Sequence, residues 1–120
     1  MVRHLKNGPG WRLGWHPGQE FCGLVGGDDW ALELTEAELD SFCQLIVQLA
    51  DTLNQISQEL MDEERICCEV ESEWLWLEAE GYPHHYSLHL MLLTGRRGEG
   101  SWSATAIPGL IQAAQSLKVF

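Results

Sequence analysis

Positive charge is scarce in this sequence. Seven Lys and Arg stand against 18 Asp and Glu, for a net charge of −11. A nucleic-acid binder needs a basic patch or stripe, and so few cations make a thin one. Long apolar runs are missing as well. No stretch approaches the ~20 residues of a membrane span, and no charged, apolar and small-residue succession opens the chain as a leader would. These absences predict a soluble, cytoplasmic protein with no membrane partner. Cysteine is sparse and without framework spacing: Cys22, Cys43, Cys67 and Cys68. Adjacent Cys67 and Cys68 would point to opposite faces of a strand, so all four read as small hydrophobes in a reducing compartment.

What is present argues for one folded domain over residues 1–120. That length can bury roughly two-thirds of the unfolded surface. An apolar content of 45% with six Trp excludes a disordered tail. The charge is unevenly placed. Between residues 36 and 81 there are thirteen acidic groups and one basic, Arg65, whereas residues 82–120 carry three basic and one acidic. A field of one sign keeps that middle third soluble and repels polyanions from it.

The first third reads as short strands. Trp11, Leu13 and Trp15 alternate with Arg12, Gly14 and His16, the period of a half-buried strand. Phe21–Val25 and Trp30–Leu34 flank Gly26-Gly27-Asp28-Asp29, a hairpin loop of residues that tolerate positive φ. Thr35-Glu36-Ala37-Glu38 is a capping box. From it runs an amphipathic helix, Glu36–Leu60, with Leu39, Phe42, Ile46, Leu49, Leu53, Ile56 and Leu60 at spacings of three and four. No proline or glycine interrupts it. At 1.5 Å per residue it is about 37 Å long against the ~17–20 Å of a typical strand. Such a helix overhangs a short-stranded sheet and needs further cover, from the last helix or from a second subunit.

Ile66–Glu80 alternates as a strand, but fifteen extended residues would run ~50 Å, wider than a small domain. Its apolar side also changes parity near Trp74. A long curved strand with a bulge at Ser72–Trp74 is expected, because one extra residue flips the side-chain phase. Tyr86–Leu93 is nearly all apolar and reads as a strand buried on both faces. Thr94–Gly100, TGRRGEG, is a loop, Ser101–Ala104 a returning strand, and Ala106–Lys118 a last helix with Pro108 in its first turn. The fold class expected is α+β: a curved antiparallel sheet in strand-strand-helix halves, with one long central helix and a shorter C-terminal helix.

No chemical constellation stands out. His84, His85 and His89 are close in sequence without a cysteine–histidine spacing that would complete a zinc site. Glu69, Glu71 and Glu73 line one strand face, but acid–base pairs need environments that split their pKa values, and a row of exposed carboxylates more simply guards an edge. Nucleophile motifs are missing, and Gly95–Gly100 lacks the lysine and following helix of a phosphate loop. No catalytic residue, metal or cofactor is expected.

The stretch GYPHHYSLHLMLLTGRRGEGSW (Gly81–Trp102), with WRLGW (Trp11–Trp15) and WLWLEAEGYP, resembles the cyanobacterial domain-of-unknown-function family 1818. The resemblance covers nearly the whole chain and implies a fold similar to single-stranded-DNA-binding transcriptional regulators of the Whirly and positive-cofactor type. The lysine-rich DNA-contacting strand of the Whirly proteins has no counterpart here. Two functional readings follow. The favoured one is a non-enzymatic binding module acting through protein contacts, as a homo-oligomer whose interface is Leu39, Ile46, Leu53 and Leu60 on the long helix. The alternative is a single-stranded nucleic-acid binder using Arg12, Arg96, Arg97 and Trp102, with the tryptophans as stacking platforms.

Overall fold

A computed structural model describes residues 4–61 and 63–118. Four strands, β1 (His4–Gly8), β2 (Trp11–Trp15), β3 (Gly23–Gly26) and β4 (Ala31–Leu34), form an antiparallel meander in sequence order. Gly10, at φ 83°, makes the tight turn between the first two, a backbone region closed to most side chains. Next comes α1 (Glu36–Ser57). A second meander follows, β5 (Ile66–Glu71), β6 (Leu75–Tyr82), β7 (His85–Leu92) and β8 (Glu99–Trp102), and the chain closes with α2 (Ile107–Ser116). The architecture is α+β: two antiparallel four-stranded sheets, a long helix and a short C-terminal helix. Each half holds four strands before its helix rather than two.

The capping box forms as expected. Thr35 Oγ1 accepts from the Glu38 amide at 3.3 Å, and Glu38 Oε1 accepts from the Thr35 amide at 2.9 Å. The helix then packs on β3, β4, β5, β6 and α2. Leu39 and Phe42 are fully enclosed. Gly23 allows the approach, since a Cβ there would meet Leu39 Cβ at 2.9 Å. Its regular part stops at Ser57, three residues short of the expected Leu60. There the Ser57 hydroxyl donates to the Asn54 carbonyl and the Gln58 amide to those of Gln55 and Ile56, a tightening last turn. Leu60 lies beyond the helix, half-exposed.

The expected long bulged strand is instead a hairpin. Ser72-Glu73-Trp74 reverses the chain: the Ser72 amide donates to the Leu75 carbonyl at 2.9 Å, while Ser72 Oγ accepts from the amides of Trp74 and Leu75 at 3.1 and 3.3 Å. In the resulting register Cys68 faces Ala79 and Val70 faces Leu77. Even-numbered residues of β5 therefore share the core face with odd-numbered residues of β6. Chain reversal, not an inserted residue, changes the parity. The turn is fastened to α1 by a Ser41–Ser72 hydroxyl pair at 2.5 Å.

A second correction concerns β7. Its even-numbered side, Leu88, Leu90 and Leu92, is buried, but the other side is open and leaves Met91 37% exposed. The second sheet therefore has one core face and one bare face.

Ser72→Ala removes the acceptor that shapes the β5–β6 turn and the partner of buried Ser41. The expected loss is about 1–3 kcal/mol, read as a lowered midpoint in urea with the slope unchanged.

Candidate functional site

Two concentrations of charge stand out, and each joins residues that the sequence singles out separately. The first lies where the β7–β8 loop meets the start of α1. Arg96 Nη2 reaches Glu38 Oε1 at 2.8 Å and the Glu33 carbonyl at 2.7 Å, and Arg96 Nη1 reaches Glu38 Oε2 at 3.4 Å. Thr94 Oγ1 donates to the same Oε2 at 3.2 Å, and the guanidinium carbon sits 4.8 Å from the centre of the Phe21 ring. The Glu38 side chain is only 2% exposed. Burial alone would push its carboxyl up, but the bonds from Arg96, the Thr35 amide and Thr94 outweigh that and hold it below the ordinary value of 4.5. This cluster is saturated and joins two distant segments. It is a clasp.

The remaining nucleic-acid candidates are dispersed. Arg12 donates to the carbonyls of Gly27 and Trp30 at 2.9 and 2.8 Å, tying down the β3–β4 loop. Trp102 is 2% exposed. Its Nε1 donates to the Gly26 carbonyl at 2.9 Å, and its ring packs on Trp30 and Phe42. Only Arg97, exposed at φ 56°, presents its guanidinium outward. Arg12, Arg96 and Trp102 are structural, so the expected basic-aromatic surface does not assemble. The expected oligomer ridge fares likewise: Leu39, Ile46 and Leu53 are at most 1% exposed inside the chain's own core.

The second concentration is the bare face of the β5–β8 sheet, and the register builds it row by row. Glu69 lies opposite Glu78, which lies opposite His89 and then Ser101. The next row is Glu71, Trp76, Met91 and Glu99; the preceding one is Cys67, Glu80 and Ser87. Directly opposed carboxylates such as Glu69 and Glu78 repel. Compensation is light: Arg65 pairs with Glu80 at 3.0 Å, and His89 Nε2 approaches Glu99 at 3.5 Å while Nδ1 bonds Ser101 Oγ at 2.6 Å. Apolar groups share the face, with Trp76 edge-on to His89, and Met91 beside the 44% exposed Leu93.

This field also bears on chemistry. Desolvation, then Glu78, Glu80 and Glu69, raise the Cys67 thiol above its ordinary 9.0, so it stays protonated and is a poor nucleophile. Burial does the same for Cys43, pushed up to about 11. All four cysteines are free thiols. Among the described residues no group of histidine, cysteine and carboxylate side chains is placed to hold a metal, and no helix is long and apolar enough to cross a membrane.

A family model for a domain of unknown function, DUF1818, matches residues 6–117. The chain belongs to that family. A crystal structure of a protein of unknown function from Prochlorococcus sp. NATL2A, described as from the DUF155 family, shares the fold. Its TM-score is 0.91 at 27% identity, covering 97% of this chain and 98% of that one. No curated protein matches the chain. Neither likeness is to a Whirly regulator. Sequence reasoning found Glu38 as a cap but missed Arg96 as its partner, 58 residues away, and the pairing of β5 with β6 that lays the acidic rows side by side.

The Glu38 clasp sets an acid limit. A carboxyl with a lowered folded pKa contributes stability that is complete above its ordinary value and is lost as pH falls through the lowered one. Wild type is expected to lose more stability than Glu38→Gln does on titration from neutral pH to below the ordinary carboxyl range. At neutral pH Arg96→Met leaves the carboxylate enclosed and unpaired, a loss of about 2–3 kcal/mol, under the ~3–5 of fully enclosed pairs because the guanidinium keeps contact with water. Thermal melts across pH check both.

Proposed function

We propose that this DUF1818 domain is a non-enzymatic binding module that acts through protein contacts, its acidic sheet face receiving a basic partner. The carrying observation is that face: Glu69, Glu71, Glu78, Glu80 and Glu99 around Trp76 and Met91, with Arg65 as its paired cation. Carboxylates at a rim around an apolar centre steer an oppositely charged protein and exclude like-charged ones. The raised thiols of Cys67 and Cys43, poor nucleophiles, support the non-enzymatic part, and four free thiols suit a reducing cytoplasm.

The Whirly-type fold that the sequence resemblance implies, a curved antiparallel sheet plus a long helix, is an analogy of architecture, and architecture does not carry function. Nucleic-acid binding is the weaker reading because Arg12 and Arg96 spend their donors on carbonyls and Glu38, and Trp102 has no free face. Self-association falls to the outward side of α1, where Gln44, Gln48 and Gln55 are exposed and neutral. Light scattering is expected to show concentration-dependent association there; a monomer at every concentration removes that element.

The charged face is tested with a labelled, unstructured lysine-rich polypeptide and an oligothymidine of matched length, by fluorescence anisotropy. Salt-sensitive polypeptide binding is expected, lost in Glu69→Lys/Glu78→Lys and kept in Glu20→Lys/Asp28→Lys, whose charges lie in loops of the other half. Equal weakening by both pairs means no site on the sheet. Oligothymidine binding without polypeptide binding reverses the choice of partner.

A further inference from the structure

The second sheet ends in an open edge. Its order, β5-β6-β7-β8, leaves β5 with one neighbour, and among the described residues no backbone hydrogen bond joins Ile66–Glu71 to anything but β6. The strand reads ICCEVE, six residues without proline or lysine, and its burial alternates regularly. Ile66, Cys68 and Val70 on the core side are only half-buried, so the hydrophobic layer is unfinished at this border. Cys67, Glu69 and Glu71 on the other side are exposed. Unpaired strand borders recruit further strands unless something blunts them.

The charge decides which strand can be added. Antiparallel partners keep their faces only in registers that place odd-numbered residues opposite odd-numbered ones. Two such registers of β5 with a second copy centre on the strand: one sets Glu69 against Glu69, and the other sets Glu69 against Cys67 and Glu71 against Arg65 of the copy. Like charges directly opposite are unfavourable, so the first is disfavoured, and a second copy is left with the other alone, whereas a cationic strand is complementary in either. A strand with lysine or arginine at every second position meets no such barrier. Its cations would lie against Glu69 and Glu71 on one face and its apolar residues against Ile66, Cys68 and Val70 on the other.

We infer that β5 is the docking edge for an extended basic segment of a partner protein, alternating cationic and apolar residues, which joins the sheet as a fifth strand. This rests on the acidic-face reading and sharpens it: main-chain hydrogen bonds supply the attachment, and the alternating side chains supply the selection.

The probe is a labelled eight-residue peptide alternating lysine with valine or threonine. Two companions carry the same charge: one with its central backbone nitrogens methylated, one with its lysines gathered at one end. Wild-type protein is expected to bind the alternating peptide at low salt and either companion roughly tenfold more weakly or worse. Amide exchange across Ile66–Glu71 should slow when the alternating peptide is bound. Glu69→Lys/Glu71→Lys, two exposed changes, should abolish this binding and admit the peptide with glutamate in place of lysine. Equal affinity for the methylated peptide, or unchanged exchange in β5, overturns strand addition while leaving the acidic face as a docking surface. Equal affinity of wild type and the double variant overturns both. No binding of any peptide overturns the inference.

Discussion

One carboxylate closes this fold. Glu38 sits at the third position of α1, where its side chain finishes the capping box, and the same two oxygens take donors from Arg96 and Thr94 on the β7–β8 loop. A charge so enclosed would be expensive without partners, since an unpaired buried ion costs far more than any single contact returns. Here every approach is filled. The start of the long helix and the far loop of the second sheet are thereby held in one position, and Phe21 extends the contact into the first half. The loop that looks most like a functional appendage, TGRR, is a fastening.

Once α1 is fixed at its start, its length does the rest. Both sheets and α2 pack against it, so the overhang foreseen from its residue count is covered within one chain. The apolar ridge that could have paired two subunits is used up in this way. Its surplus of hydrophobic positions, Cys43 and Val47 included, is partly buried against the core and lines a surface groove with Ala114 and Gln115 of α2. Any contact with another protein has to be made by surfaces the core does not need.

How much of this was legible varied with the range of the interaction. The helix was, because period and capping are written within four residues of each position; its end was not, because Leu60 keeps the hydrophobic spacing after the backbone has left the helix. The parity change at Trp74 was visible, but a bulge and a hairpin alter phase alike. Ser-Glu-Trp lacks the glycine, asparagine or proline that marks a tight turn, and Ser72 supplies the acceptor those residues imply. Arg12, Arg96 and Trp102 look alike in sequence as spare cations and a spare ring. Their partners are carbonyls and a carboxylate 15 to 76 residues away, which no local pattern encodes.

The acidic face follows from the same geometry. A strand row of glutamates is ordinary, but folding β5 back on β6 doubles it and places Glu69 across from Glu78, an arrangement that opposes the fold. Nothing in the core requires it, since the opposite face of the same strands carries the packing. The repulsion is relieved when a cation enters, and complementary fields steer oppositely charged proteins together. A polyanion would add to the repulsion, and Arg65, the cation beside this face, is already paired with Glu80. On the proposed reading, the sign of the field favours a basic protein partner over nucleic acid, and the half-covered apolar row beside it favours one that can lie flat as a strand.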